Sequence, residues 1–331
     1  GEPRIDFSND AKGALLLEPQ RTNLYNYSEP TANEGSMSSV TYESFNWAIG
    51  FTNCVKFGDN SATRYRYGGT VSVSTEYTLS AFVIMDDLSE PIIGGQTSDK
   101  DFSFVLGGAV GVGVNSSVNM GNNIWRVSGT ATTSASASTL NNGIIKYTAQ
   151  SSKGFRVVGF QLEQGYATSY IPTQGSAVTR IADACTDGGN DQVINNIEGT
   201  IFIDCDFINN NGVQVLCSPN DNATNKRIEI WANSGVVYGF IGGSSNITIG
   251  SSALVDGNHK IALAYKSGNS SFYIDGVLIG SKSDSFTISA LTQLSLGYFN
   301  GNQYMSESKT KDVRVYNTAL TDQELINLTK I

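Results

Sequence analysis

The sequence is poor in the residues on which many active sites and all membrane-spanning helices depend. It has one histidine, His259, and only 15% of its residues are charged. A single imidazole excludes metal centres that are built from several histidines. No apolar run approaches the ~20 residues of a transmembrane helix, so we expect no membrane insertion. The chain also lacks a starting methionine and a signal peptide, and we expect it to be a fragment of a longer protein.

Basic residues are scarce as well. Lysine and arginine number 21 against 30 aspartates and glutamates, which gives a net charge of −9 and a pI near 4.7. Proteins that bind nucleic acid concentrate positive charge on one face. We therefore expect no nucleic-acid partner, and for the same reason no attraction to an anionic membrane surface.

The four cysteines form no CxxC motif, which argues against a zinc site. Cys205 and Cys217 each lie in an apolar run, TIFIDCDFI and VQVLC. We interpret both as small buried residues, although an even number of cysteines also permits two disulfides.

Short alternating segments and glycine-rich turns dominate the rest of the chain, which has 331 residues and 35 glycines. In KIALAYKS, for example, Ile261, Leu263 and Tyr265 share one face, as in a half-buried antiparallel strand. Asp275-Gly276 between two such segments is a hairpin signal. The pattern predicts an all-β protein of antiparallel sandwiches or barrels, and the length suggests two domains.

One short helix is predicted, at the C-terminus. Thr321 and Glu324 have the spacing of a capping box, and Leu320 and Leu325 have that of a hydrophobic staple. A break in the strand pattern lies upstream, where Pro172, several glycines and polar residues cluster. We predict domains at residues 1–180 and 198–331, joined by a linker over residues 181–197.

Three passages resemble known families. PRIDFSNDAKGALLLEPQRTNLYNYSE (3–29) and GFQLEQGYATSYIPTQGSAVTRIAD (159–183) resemble the ends of a carbohydrate-binding-module-like jelly roll of phage and prophage tail or head fibre proteins. The third passage begins at EGTIFIDCDF and resembles a concanavalin A-like, laminin-G-type sandwich. The residues that match the pattern of this sandwich are His259, Tyr273, Asp275, Gly276, Asp312, Arg314, Tyr316 and Asn317.

The resemblance implies two antiparallel β-sandwich (jelly-roll) domains. It also implies a virion-surface protein, in a tail or head fibre, or otherwise an extracellular one. Its expected role is non-catalytic recognition of a host surface polysaccharide by a phage fibre or spike, attached to other virion proteins. Fibres of this kind are often trimeric, which makes a homotrimer the expected assembly. A structural virion decoration protein and a polysaccharide depolymerase are the alternatives, because both modules also occur in such proteins.

Aromatic side chains among polar neighbours are the best candidates for glycan contacts, because sugar rings stack on them. The candidates are Trp47, Tyr65, Tyr67, Trp231, Tyr238 and Tyr304. Trp125 is interpreted as a core residue instead. Glu229 lies on the same strand face as Trp231, which would suit a sugar cleft as well as an ordinary exposed strand.

Evidence for a cofactor or a catalytic group is weak. The polar stretch Ser218–Asn225 (SPNDNATN) holds Asp221 among several amides and could take Ca²⁺, although a solvated loop is the favoured interpretation. His259 begins a strand at the position of a structural histidine of the resembled family, so we assign it no catalytic role. The sequence demands no other cofactor.

Overall fold

The computed structural model describes most of the chain. The described residues are 4–7, 11–30, 36–38, 40–58, 63–66, 70–107, 109–110, 113–136, 142–209, 211–221, 226–288, 291–299, 302–304 and 308–331.

In the described residues, the chain forms antiparallel strands and one short helix. The first fifteen strands are β1 (Ile5–Asp6), β2 (Ala14–Leu15), β3 (Arg21–Asn23), β4 (Ser36–Ser38), β5 (Val40–Ser44), β6 (Asn53–Phe57), β7 (Thr63–Arg66), β8 (Glu76–Met85), β9 (Ser103–Leu106), β10 (Ala109–Val110), β11 (Val114–Asn119), β12 (Trp125–Thr132), β13 (Gly143–Lys146), β14 (Phe155–Gln164) and β15 (Val178–Arg180). The remaining elements are β16 (Cys185–Gly188), β17 (Glu198–Phe207), β18 (Val213–Asn220), β19 (Arg227–Asn233), β20 (Val236–Gly242), β21 (Asn246–Ala253), β22 (Gly257–Lys266), β23 (Ser270–Ile274), β24 (Val277–Lys282), β25 (Gln293–Leu296), β26 (Tyr298–Phe299), β27 (Asn302–Gln303), β28 (Lys309–Tyr316) and α1 (Asp322–Thr329). This composition confirms the all-β prediction with a short C-terminal helix.

The chain divides into two compact units. We call Gln20–Ile181 the central unit, and Gly1–Pro19 together with Ala182–Ile331 the terminal unit. The central unit has a six-stranded sheet in the order β11-β12-β8-β14-β6-β5 and a five-stranded sheet in the order β10-β9-β13-β7-β4. Its core lies between them and includes the stacked rings of Phe57 and Phe155, whose centroids are 4.5 Å apart.

The terminal unit is a second sandwich. Its seven-stranded sheet has the order β1-β2-β28-β17-β22-β23-β24, and its six-stranded sheet has the order β16-β25-β18-β19-β20-β21. Alternate residues of both sheets fill the core, among them Ile203 and Leu263 from one sheet and Ile230 and Val237 from the other. This alternation is the one that the sequence pattern predicts for half-buried strands.

The predicted domain limits differ from the observed units at the N-terminus. Residues 1–19 were assigned to the first domain, but Leu15 pairs with Thr310 of β28, and Arg4 forms ion pairs with Glu18 and Asp183. The apolar residues at positions 15 and 17 pack against the terminal core, and this burial holds the segment there. The predicted linker is also partly strand, because β16 pairs with β25.

Helix α1 covers the outer face of the seven-stranded sheet. Its capping box is present as predicted: the Thr321 hydroxyl accepts from the Glu324 amide at 3.4 Å, and the Glu324 carboxylate accepts from the Thr321 amide at 2.8 Å. Leu325 is fully buried against Phe202 and Tyr273 of the sheet. The helix therefore occupies part of the outer face of this sheet.

The four cysteines are free thiols. Cys54, Cys205 and Cys217 are buried, as predicted for the last two, and Cys185 is half-buried. Burial raises the pKa of the Cys205 thiol to about 12, so this residue acts as a small apolar side chain. No helix in the described part of the chain has the length and apolar character to cross a membrane.

Candidate functional site

The candidate site lies on the outer face of the six-stranded sheet of the terminal unit. Strand β19 alternates strictly: Ile228, Ile230 and Ala232 point into the core. Arg227, Glu229 and Trp231 occupy the intervening positions and therefore face outward. An apolar ring and two charged groups are thus held in line on a strand whose other face is anchored in the core.

Trp231 is braced from one side by a second aromatic ring. The turn between β19 and β20 has positive φ angles at Ser234 and Gly235, +50° and +80°, as a two-residue type I′ hairpin requires. This turn fixes a register in which Trp231 and Tyr238 are directly opposite. Their rings stack with centroids 4.5 Å apart and an interplanar angle of 17°.

A depression of about 250 Å³ borders the indole. It is lined by Val213, Val215, Arg227, Glu229, Trp231 and Tyr304. Tyr238 does not line it, although its ring stacks on the indole. The depression and the supporting tyrosine therefore use different parts of the Trp231 surface.

Tyr304 is brought to the depression by the backbone of β18. The Val215 amide donates to the Tyr304 carbonyl at 2.9 Å, and the Tyr304 amide donates to the Gly297 carbonyl at 2.9 Å. The Gly297 amide in turn donates to the Val215 carbonyl at 2.8 Å. These three bonds fix the backbone of Tyr304, a residue far away in sequence, beside the indole.

The polar wall of the depression is an ion pair. Arg227 Nε donates to Glu229 Oε2 at 2.7 Å, and the guanidinium lies 4.4 Å from the ring centroid of Phe240. Glu229 is only 3% exposed. Burial raises the pKa of its carboxyl, and the neighbouring guanidinium opposes that shift.

One donor at the site has no acceptor in the described part of the chain. Trp231 Nε1 is shielded from solvent and makes no hydrogen bond there. A buried donor without a partner is costly, and a hydroxyl oxygen of a ligand could remove that cost. The site thus offers an indole ring for stacking, a carboxylate acceptor, a guanidinium donor and a tyrosine.

The structure brings together three of the six predicted glycan-contact residues: Trp231, Tyr238 and Tyr304. Trp47 lies away from this site, in the central unit. Its ring is 4% exposed in a small apolar cluster of the central unit, with edge-to-face contacts to Phe45 and Phe51. The neighbouring sequence is polar, but these aromatic rings bury the indole and leave no face on which a sugar could stack.

The other two predicted contacts cannot be placed at a site. The backbone of Tyr65 belongs to β7, where it pairs with Ile144, and Tyr67 lies outside the described residues. Trp125, interpreted as a core residue, is partly buried against the core of the central unit, as predicted.

The suggested calcium loop is not a loop at its start. Ser218 and Asn220 belong to β18 and are buried, Asp221 follows the strand, and residues 222–225 lie outside the described part. No group of three or more His, Cys, Asp or Glu side chains in the described residues could hold a metal ion. A calcium ion at Asp221 stays a prediction without structural support.

His259 takes part in the packing of a turn. Its Nδ1 lies 2.6 Å from Asp275 Oδ2, and Asp275 Oδ1 accepts from the Lys260 amide at 2.9 Å. Asp275 and Gly276 have φ angles of +52° and +78°, which confirms the predicted hairpin turn. These contacts tie the start of β22 to the turn between β23 and β24.

Sequence reasoning missed Arg227, Val213 and Val215 as parts of the site. The signal for Arg227 was available, since it lies two residues from Glu229 and four from Trp231 and so shares their strand face. The two valines could not be found in this way, because the register of β18 changes at a bulge after Val215.

One family model matches part of the terminal unit. Residues 196–326 match the family model of the Concanavalin A-like lectin/glucanases superfamily, of the laminin G type. This segment is similar to a concanavalin A-like lectin/glucanase domain, and it contains every residue of the depression. No curated protein sequence matches the chain.

Among solved structures, the chain is similar to the Ruminococcus gnavus IT-sialidase CBM40, with 16% identity and a TM-score of 0.38 over 45% of this chain and 97% of that one. It is also similar to the NanB sialidase from Streptococcus pneumoniae, with 17% identity and a TM-score of 0.37 over 41% of this chain and 24% of that one. A third is the heptameric SAP-like pentraxin from Limulus polyphemus, with 15% identity and a TM-score of 0.34 over 43% and 72% of the two chains.

Proposed function

We propose that this chain binds glycans through the depression beside Trp231. The observation that carries the proposal is the indole itself: Tyr238 holds it on one side, and a small depression with polar walls borders it. Sugars present C–H faces that stack on such a ring and hydroxyls that bond to the neighbouring carboxylate and guanidinium. The match of residues 196–326 to a superfamily that includes lectins supports the same function.

The size of the depression sets the kind of ligand. A volume of about 250 Å³ falls just below the ~300–1,000 Å³ of most small-molecule pockets. It suits one sugar residue of a longer chain rather than an enclosed oligosaccharide. A contact of this size is weak by itself, and several copies would supply the avidity for a polymer.

The biological setting follows from the sequence resemblance alone. In this proposal the chain is a receptor-binding part of a phage fibre or spike, lies on the virion surface and recognises a host surface polysaccharide. Its other partners would be virion proteins, with three copies assembled in the fibre. These statements rest on the passages at 3–29 and 159–183.

The number of carboxylates that line the depression favours glycan binding over glycoside hydrolysis as its function. Glycoside hydrolysis uses two carboxyl groups on either side of the scissile bond. Glu229 is the one carboxylate among the described residues that line the depression, and it is paired with Arg227. The raised pKa of Glu229 would suit a catalytic acid. The described residues of the depression, however, include no second carboxyl group that could act from the opposite side of a bound sugar.

The test is size-exclusion chromatography of the full chain mixed with capsular and surface polysaccharides. We expect the protein to co-elute with at least one intact polysaccharide. Trp231→Ala should strongly reduce the co-elution, and Tyr316→Ala, which changes a half-buried tyrosine on the other sheet, should leave it unchanged. Equal loss in both variants would contradict the assigned site.

Two other outcomes would replace the proposal. A shift of the polysaccharide to small fragments would establish a depolymerase. No interaction across a broad panel would favour a structural decoration protein.

A further inference from the structure

A second depression, in the central unit, has the chemistry of an anion site. It has a volume of about 480 Å³ and lies where β3 meets the end of β14. Its walls are Gln20, Arg21, Thr22, Leu24, Gln164 and Gly165. None of these is acidic, although the chain as a whole carries a net charge of −9.

Arg21 is the charged group of this depression, and it has no carboxylate partner in the described part of the chain. Its guanidinium lies 4.4 Å from the ring centroid of Tyr166, and its Nη1 donates to the Gln20 carbonyl at a long 3.4 Å. Its Nε is shielded from solvent and has no acceptor there. By contrast, four other arginines form ion pairs with acidic side chains: Arg4, Arg156, Arg227 and Arg314.

A second positive charge is placed directly across from it. Strand β15 pairs with β3 so that Arg180 is opposite Arg21 and Thr179 is opposite Thr22. Like charges in directly opposite positions destabilise a strand pair. A bound anion would offset that repulsion and would also supply the missing acceptor for Arg21 Nε.

We propose that this depression binds a carboxylate-bearing sugar of the uronic acid class. The planar guanidinium matches a carboxylate in a two-bond geometry, and the Tyr166 ring holds it in place. The amides of Gln20 and Gln164 and the hydroxyl of Thr22 are neutral partners for sugar hydroxyls. A volume of about 480 Å³ lies within the range of small-molecule sites.

This site is independent of the one proposed at Trp231, because all its residues belong to the central unit. It also differs in charge selection. At Trp231 the guanidinium of Arg227 is paired with Glu229, whereas Arg21 forms no ion pair with the described acidic residues.

The test is a titration of the full chain with D-glucuronate, followed by the NMR signal of the Arg21 Nε–H group and by calorimetry. D-glucose tests the sugar without the carboxylate, and acetate tests the carboxylate without the sugar. We expect glucuronate to shift the Arg21 signal, glucose to leave it unchanged, and acetate to bind more weakly than glucuronate.

Variants separate the role of the guanidinium from that of charge. Arg21→Gln should weaken glucuronate binding by about tenfold or more, since a charge-assisted hydrogen bond is lost. Arg21→Lys should recover only part of it. The control is Arg126→Gln, since Arg126 also lies over a ring of the central unit, 4.4 Å from the Phe82 centroid, but outside the depression. It should bind glucuronate like the wild type.

Three results would overturn the inference. These are no glucuronate shift at Arg21, equal binding of glucose and glucuronate, or equal affinity for acetate and glucuronate, which would remove the sugar from the assignment. Trp231→Ala should leave the Arg21 titration unchanged, so failure at one site is distinguishable from failure at the other.

Discussion

Tyr238 is expected to act on glycan binding through Trp231 rather than by touching the sugar. The two rings stack at 4.5 Å, yet Tyr238 does not line the depression. Stacked aromatic pairs contribute about 0.5–1.5 kcal/mol beyond their burial. If about 1 kcal/mol of this holds the indole in its binding orientation, Tyr238→Ala should weaken binding about fivefold.

A double-mutant cycle measures this directly. Calorimetry with a polysaccharide that co-elutes with the protein would give the affinity of Tyr238→Ala, Trp231→Ala and the double variant. Once the indole is gone, removal of the tyrosine should cost nothing more, so the double variant should match Trp231→Ala. Tyr238→Phe keeps the ring and should bind like the wild type.

Two outcomes would refute the reasoning. Additive losses in the double variant would mean that Tyr238 contacts the sugar itself. An unchanged affinity in Tyr238→Ala would mean that the indole needs no support from the stacked ring.

Three further predictions concern charge, capping and packing. Binding at Trp231 should be strong above the pKa of Glu229 and fall as the pH drops through it, because protonation removes the acceptor and breaks the pair with Arg227. Burial raises that pKa, so calorimetry across a pH series should place the midpoint above 4.5. Thr321→Ala should lower the free energy of unfolding in urea by about 0.5–2 kcal/mol through loss of the helix cap. Gly239→Ala should cost about 1–3 kcal/mol in the same assay, because an added Cβ would lie 2.7 Å from the Phe272 ring.

Each of these has a matched control. Glu229→Gln should bind with an affinity that no longer depends on pH in the acidic range, and a retained midpoint would assign the titration to another group. Thr318→Ala removes an exposed threonine next to the helix and should leave stability unchanged. Gly95→Ala meets nothing within 4 Å and should be tolerated; a loss equal to that of Gly239→Ala would refute the packing argument.

Local pattern was sufficient to predict the sandwich strands, the final helix and the shared face of Glu229 and Trp231. These features depend on alternation, on a capping box and on turn residues, which act over a few positions. The turn at Ser234-Gly235 even determines that Trp231 meets Tyr238, since a two-residue hairpin fixes the register.

Contacts between distant segments escaped prediction. The polar neighbours of Trp47 predict an exposed ring. The aromatic cluster that buries this ring includes Phe82 of β8, which is distant in sequence. The observed place of the first residues differs from the predicted domain limit because their partner strand, β28, lies about 300 residues away. Pairing at such separation leaves no mark in local composition.

The site at Trp231 depends on one such distant contact and on one local irregularity. A bulge follows Val215 in β18. Without it the strand would alternate regularly, and the residues beyond Val215 would lie on the opposite faces of the sheet. The bulge keeps Val215 opposite Trp231 while Cys217 enters the core. The same Val215 backbone binds Tyr304 and Gly297. The depression therefore exists because one residue serves as the cross-strand neighbour of the indole and as the anchor of the tyrosine opposite it.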